Sequence, residues 1–371
     1  MAQKAKYEQV KEILRKRIRT SHRVGSKIPS TADLHKSLGV SQQTVNRAIS
    51  DLVDDGILER YVGRGTFVAR PKRTTENIGF VWPGQMDRLT KHPYMASILQ
   101  AAEAAASACG RHLLVASNVD PTEPVFFGQP KQVAGVLILF NRDESLVDGY
   151  VERGIPVVLI DPFVRRGGVP FVTSDQYAGT REATFHLVRL GHRRIVHVTY
   201  QGLDYLPFEE KVIGYEAAMR EACLDNSLYV LKEPAELLDM PEGAKVFTDM
   251  LDLVKPTACC CCHDDLAIWV IHLCHERGIR VPDDLSVVGF DDSGVATHVR
   301  PPLTTVHVPL EEIGQTAVQI LDRLIEEEQV TGQGTVLPTR LVERASTKPP
   351  QEAKGEEKEK ASGVTQERIS V

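Results

Sequence analysis

Several features of secreted, membrane-bound and catalytic proteins are missing from this sequence. No stretch of its 371 residues approaches the about 18 consecutive apolar residues of a membrane helix. The longest apolar runs, Gly135 to Phe140 and Ile155 to Ile160, suit buried strands instead. Residues 1–19 alternate charged and apolar side chains and hold no apolar core of a secretory signal, so a cytoplasmic protein is expected. The seven cysteines are odd in number, and four of them are adjacent at Cys259 to Cys262, which makes a poor disulfide framework and points to a reducing compartment. No glycine-rich phosphate loop follows the first apolar run, because "VWPGQMDRLTKHPY" lacks the spacing. No G-x-S-x-G elbow is present. Asp264 and Asp265 are a carboxylate pair, but adjacent acids at a helix start serve the helix dipole more often than chemistry. An enzyme is therefore not expected, nor a cofactor, nor a metal site.

What is present is divided unevenly. Residues 1–73 hold 16 Lys and Arg against 7 Asp and Glu, while the remainder holds 28 against 43. A basic head on an acidic body suits a head that meets a polyanion, although a solvated basic face has the same composition. From Tyr7 to Ile18, Val10, Ile13, Leu14 and Ile18 recur at helical spacing. Pro29 and Ser30 open a short helix with Leu34 and Leu38 on its inner face, and Gly39 can supply the positive φ that stops it. Ser41 can cap a third helix, striped by Val45, Ala48, Ile49, Leu52 and Val53. "ILERYVGRGTFVA" then reads as two short strands around a Gly-Arg-Gly tip.

Helix, turn, helix and hairpin is the order of a winged helix-turn-helix. The apolar stripe turns Gln42, Gln43, Asn46 and Arg47 outward, where long polar groups at a helix N-terminus can reach base edges in a major groove. Arg64, between the wing glycines, can meet phosphates or a minor groove. "KIPSTADLHKSLGVSQQTVNRAISDLVDDGILERYVGRGTFVA" resembles the GntR-type DNA-binding domain along its whole length. The resemblance implies operator contacts from Ser30, Thr31, Ser41, Gln42, Gln43, Thr44, Asn46 and Arg47, with Gly63, Arg64 and Gly65 in the wing. It departs from that family where Ala32, Gln42 and Asn46 replace the usual arginines. Gln and Asn pair with adenine where Arg prefers guanine, so adenine is the base expected at the central contacts.

After a polar stretch at 70–77 that reads as a linker, apolar runs such as "IGFVW", "HLLVAS", "GVLILF", "RIVHVT", "TACCCC" and "LSVVGF" alternate with amphipathic segments. That alternation predicts parallel sheets of doubly wound α/β type, which bind ligands beyond the C-terminal ends of their strands. "VPFVTSDQYAGTREATFHLVRLGHRRIVHV" and "VPDDLSVVGFDDSGVATHVRPPLTTVHVPLEEIGQTAV" look like the LacI-type effector core, itself similar to periplasmic sugar-binding proteins. A GntR-type head on such a core resembles the arrangement of the Bacillus-type arabinose repressor subfamily. The expected fold class is thus α/β, with an N-terminal winged helix-turn-helix and a two-lobed periplasmic-binding-protein-like core of parallel sheets. The expected organisation is a head at 1–69, a linker at 70–77, a core at 78–345 and a disordered tail at 346–371. Within the core, one lobe is expected to span about 78–174 and 293–325, and the other about 175–292 and 335–345.

The same resemblance nominates effector contacts: His92, Tyr94 and Met95 in "HPYM", Asp161 after "VVLI", Lys211 in "KVIGY", His263 after the cysteines and Asp291 in "GFDD". Carboxylates accepting hydroxyls, a donating cation and a covering aromatic would suit a polyol. Pro162, Lys211 and His263 stand where that family commonly has two arginines and an asparagine. The stretch Asn118–Gln132 is also short, which implies a truncated helix in the first lobe. The implied protein is a homodimer that binds palindromic double-stranded operator DNA, has no membrane partner, and is released by a small sugar-like effector. A regulator responsive to a nucleoside, an amine or another small molecule, and a sugar-binding protein that does not bind DNA, remain as alternatives. If His263 lines the cleft, effector affinity is expected to vary between pH 5 and 8. The four cysteines read as a strand buried on both faces, with Cys259 and Cys261 on one side and Cys260 and Cys262 on the other.

Overall fold

The computed structural model describes residues 7–8, 10–11, 13–15, 25–54, 57–61, 63–68, 75–117, 125–126, 132–201, 206–224, 229–234, 241–326 and 334–351. They fall into two compact units, divided between Thr75 and Glu76. In the first unit, the described residues between 7 and 15 are helical. They are followed by α1 (Thr31–Leu38), α2 (Gln42–Asp54), β1 (Leu58–Tyr61) and β2 (Gly65–Val68). Ser30 caps α1 by accepting from the Asp33 amide at 3.2 Å, and Gly39 ends it in the left-handed region at φ 64. Val45, Ala48, Ile49 and Leu52 of α2 close over Val10, Leu14 and Leu34, and the antiparallel pair β1–β2 adds Leu58 and Val68. Ile18, assigned above to the first helix, lies outside the described residues.

The second unit is built on two all-parallel sheets. One orders its strands β13-β7-β6-β5-β3-β4, from β3 (Asn77–Trp82), β4 (His112–Ser117), β5 (Val136–Leu139), β6 (Val157–Ile160), β7 (Phe171–Ser174) and β13 (Thr335–Leu337). The other orders β11-β10-β8-β9, from β8 (Ile195–Gln201), β9 (Tyr229–Pro234), β10 (Ala258–Cys261) and β11 (Ser286–Val288). The helices around them are α3 (Met86–Lys91), α4 (Pro93–Ala108), α5 (Glu144–Val151), α6 (Gln176–Arg189), α7 (Leu206–Glu221), α8 (Pro241–Val254), α9 (Asp264–Glu276) and α10 (Leu310–Ile325). β5 and β6 are buried at every position, as strands covered on both faces should be. α4 carries Ala101, Ala102 and Ala106 inward, so that α10 can approach closely. A side chain at Gly314 of α10 would place its Cβ 2.8 Å from the Ile98 carbonyl.

The lobes are joined by three crossings: after Ser174, through β12 (Thr305–His307), and between β13 and β14 (Arg340–Val342), which pairs antiparallel with β12. This corrects the lobe boundaries drawn from sequence. Residues 293–303 belong with the second lobe, where Ala296 and Leu303 are buried in its core. Residues 335–337 add a strand to the first lobe's sheet rather than to the second. The linker boundary shifts as well: β3 begins at Asn77, while residues 70–74, like residues 118–124 and 127–131 of the stretch judged short, lie outside the described residues.

Of the stretch 346–371 expected to be a disordered tail, residues 346–351 are docked on the second lobe, and residues 352–371 lie outside the described residues. Ser346 is fully buried; its hydroxyl donates to the Val287 carbonyl at 2.6 Å and accepts from the Thr304 amide at 2.8 Å. The Val287 amide donates to the Ser346 carbonyl at 2.9 Å, and the Lys348 amide donates to Ser286 Oγ at 3.1 Å. Each such bond is worth about 1 kcal/mol net. Ending the chain after Ala345 should therefore cost about 3 kcal/mol or more and lower the melting temperature by several degrees, while ending it after Gln351 should leave it unchanged. Differential scanning calorimetry of the two truncations checks this; equal melting temperatures would contradict it.

Candidate functional site

In the first unit the start of α2 is a polar surface. Ser41 caps the helix by accepting from the Thr44 amide at 3.1 Å, and Gln42, Gln43 and Asn46 are exposed. Thr31 of α1 donates to Asn46 Oδ1 at 3.3 Å, which ties the two helices together and leaves the amide NH₂ of Asn46 outward. Arg47 does not stand free: its guanidinium lies 4.3 Å from the centroid of the Tyr7 ring. At the wing, Gly63 and Gly65 adopt φ 76 and 115, and Arg64 stays exposed, 5.9 Å from the Tyr61 ring centroid. A row of uncharged amides with the exposed arginines Arg47 and Arg64 nearby can read base edges and touch phosphate.

In the second unit the chemistry-bearing residues gather where strands end. Four non-glycine residues there hold positive φ: Phe140 after β5, Asp161 after β6, and Asp291 and Asp292 after β11. Such backbone is costly and collects at ligand clamps. At Asp291 and Asp292 opens a cavity lined by His92, Tyr94 and Ser97 from α4 and its start, by Asp264 and Asp265 from α9, and by Asp291 to Gly294. Tyr94 stacks on Phe140 at 6.0 Å, and Phe140 meets Trp82 and Phe163 edge-on.

Each acid is held differently. Asp161 is fully buried behind Tyr94; its two oxygens accept from Tyr94 Oη at 2.6 Å and Thr173 Oγ1 at 2.7 Å. Burial pushes its carboxyl up, opposed by those two hydroxyls and by Lys211. Asp264 is a brace: Oδ2 accepts from the Ser293 amide at 2.7 Å and from its hydroxyl at 2.9 Å, and Oδ1 accepts from Thr305 at 2.5 Å. Gly289 makes room for it, since a Cβ there would collide with Asp264 Oδ1. Burial raises Asp264 to about 6. Asp292 is bonded by Arg344 at 2.5 Å and lies 2.9 Å from His307 Nδ1. Asp291 has its carboxyl driven up by burial, and Asp264, Asp265 and Asp161 add to that while Lys211 opposes it.

Of the seven effector candidates, His92, Tyr94 and Asp291 line the cavity itself. Asp161 stands one hydrogen bond behind Tyr94. Lys211 is buried, donates to the Cys262 carbonyl at 2.5 Å and lies 3.7 Å from the Phe290 ring centroid. Met95 packs against the hydrophobic core. His263 is the N-cap of α9, its Nδ1 accepting from the Leu266 amide at 3.1 Å. Burial, with Lys211 and His92 nearby, lowers it to about 3, so it stays neutral between pH 5 and 8 and the pH switch expected of it does not follow. Sequence reasoning missed Asp292 and Ser293 and undervalued Asp264 and Asp265. Their signal was position alone, immediately past apolar runs that end at a sheet's C-terminal edge.

Among the described residues the lobes also meet through the ion pair of Arg165 with Glu210 at 2.9 Å, and His92 Nε2 lies 3.6 Å from an Asp265 oxygen. The cysteines are core. Cys260 packs in the cluster shared with Ile195 and Val288, whereas Cys259 and Cys261 face the cluster of Val196, Val198 and Phe247. Cys262 joins the latter rather than Cys260, because β10 ends at Cys261 and strict alternation ends with it. Burial pushes the Cys260 thiol up to about 12, which suppresses the reactive thiolate.

These two sites have counterparts in known proteins. Residues 6–68 match the gntR family of bacterial regulatory proteins, and residues 184–347 match the periplasmic binding protein-like domain. The chain is 30% identical over 367 residues to the arabinose metabolism transcriptional repressor of Geobacillus stearothermophilus, covering 92% of this chain and 98% of that one. The arabinose metabolism transcriptional repressor of Halalkalibacterium halodurans is 28% identical, with 89% and 92% covered. Among solved structures, the complex of the transcriptional regulator CelR with cellobiose is similar at a TM-score of 0.64 and 25% identity, covering 86% of this chain and all of that one. With a gntR-type head, a periplasmic binding protein-like domain and this likeness over 92% of its length, the chain belongs to the family of the arabinose metabolism transcriptional repressors.

Proposed function

We propose that this protein is a cytoplasmic, dimeric repressor of carbohydrate-utilisation genes that leaves a palindromic operator when a small sugar fills the cleft. The observation that carries this reading is the cavity at the strand ends, walled by Tyr94 on one lobe and Asp291 on the other, in a chain whose head exposes Gln42, Gln43 and Asn46. Carboxylates accept sugar hydroxyls and an aromatic ring covers the apolar sugar face, so the cavity binds without transforming its occupant. The arabinose repressors it resembles and the cellobiose-bound regulator favour a sugar over a nucleoside. Ligand that bridges both lobes favours one lobe angle, and only such a difference in affinity between states can shift operator binding. Two-fold pairing of helix-turn-helix heads matches a palindromic site.

Thermal shift against pentoses, hexoses, disaccharides and nucleosides, followed by operator binding with each hit, tests the proposal. A sugar that raises the melting temperature and weakens operator binding is expected; a nucleoside doing so, or no operator binding at physiological salt, would overturn it. In the same assay His263→Asn is expected to keep the helix cap and leave the pH profile of effector affinity unchanged between pH 6.5 and 8, because the histidine of the parent carries no charge there. A pH slope that vanishes on this substitution would contradict its assignment as a neutral cap.

A further inference from the structure

The charges of the cleft do not balance, and the imbalance specifies the ligand more narrowly than a polyol. Burial, with Asp264, Asp265 and Asp161 adding to it, pushes the Asp291 carboxyl up, and the cation that opposes this at Asp291 and at Asp161 is Lys211. That ammonium is already engaged by the Cys262 carbonyl and the Phe290 ring. No arginine or lysine lines the cavity. Arg344 and Arg165 are committed to Asp292 and Glu210. Asp161 and Asp264 have both oxygens occupied by protein donors. Asp291 and Asp265 differ. No hydrogen bond reaches the Asp291 carboxylate among the described residues, and Asp265 has only the 3.6 Å approach of His92. Both line the cavity, and Asp265 disfavours the charge of Asp291.

Carboxylates that line one cavity without a protein donor favour a proton, a metal ion or an organic cation beside them. Among the described residues no group of three or more His, Cys, Asp and Glu side chains is placed to hold a metal ion. Resting on the reading of this cavity as the effector site, we infer that the effector is a polyhydroxylated amine, an amino sugar or amino polyol, whose ammonium sits between Asp265 and Asp291 while its hydroxyls and ring face meet Ser97, Ser293 and Tyr94. The same field rejects sugar phosphates and sugar acids, because among the described residues no lysine or arginine lines the cavity to receive an added anion.

Isothermal titration of the full-length protein tests this with D-glucosamine, D-galactosamine and D-mannosamine, each beside its neutral parent, uronic acid and 6-phosphate. At least one amine is expected to bind about tenfold tighter than its neutral parent, a difference of about 1.4 kcal/mol. That preference should shrink about fivefold or more in Asp265→Asn and fall with added salt, as an interaction between partly exposed charges must. Acids and phosphates should not bind. A neutral parent that binds as tightly as its amine, an anion that binds at all, or no binding by any amine overturns the inference. Tight neutral-sugar binding that Tyr94→Ala abolishes would remove the charge argument alone. Binding indifferent to both Tyr94→Ala and Asp291→Ala would remove the cavity as the site, and this inference with it.

Discussion

Asp291→Asn is expected to give a repressor that still binds operator but no longer lets go when effector is added. Asp291 follows β11 at φ 114, in backbone that only the surrounding structure can hold, and among the described residues no protein donor reaches its carboxylate in the cavity. A carboxylate gripping two ligand donors loses about 1.5–3 kcal/mol for each bond given up, so effector affinity should fall about 100-fold or more. The head is a separate compact unit, which is why operator affinity without effector should change less than about twofold. Asparagine preserves the side-chain shape and tolerates positive φ, so misfolding does not explain the result away. Fluorescence anisotropy on labelled operator, with and without effector, reads both quantities. Release from operator by effector at the parent's concentration would contradict the assigned role.

The second large effect belongs to the head. Replacing Gln42 and Asn46 together by alanine should weaken specific operator binding about 100-fold, while binding to unrelated DNA changes little. The reason lies in what each side chain touches. Both amides are exposed at the start of α2, and Asn46 is aimed by its bond from Thr31. Paired contacts to adenine are each worth about 1–3 kcal/mol of discrimination. Arg64→Ala should act differently: lost phosphate contact lowers affinity for all sequences alike and flattens the salt dependence by about one unit. Selection of sites from random DNA separates the cases. Guanine at the central positions, with the same preference in the double alanine variant, would refute the adenine assignment.

How much of this could be read from the sequence differs by element, for physical reasons. The strands were legible because "GVLILF" and "VVLI" have no polar interruption, and β5 and β6 are indeed buried at every position. The head was legible because a single stripe from Val45 to Leu52 fixes which residues of α2 face outward. The crossing strands were not legible: β12 and β14 are three residues each, too short for periodicity, and they are stabilised by partners from distant segments. The docking of residues 346–350 escaped notice because it rests on hydrogen bonds of Ser346 and Lys348, which composition cannot see. Asp264 escaped for a related reason. Its role needs Gly289, Ser293 and Thr305 brought together by the fold, and no spacing along the chain announces that. His263 was placed correctly at the strand mouth, yet its ring serves the backbone of α9.

The central claim is that occupancy of the cleft controls the head. The most direct measurement is an operator-binding titration at fixed salt, repeated with saturating effector, for the parent protein and for Asp291→Asn. The account predicts an operator affinity about 5–150-fold weaker with effector for the parent, the usual range of allosteric coupling, and no change for the variant. An effector that binds in the cleft and leaves the parent's operator affinity unaltered would contradict it.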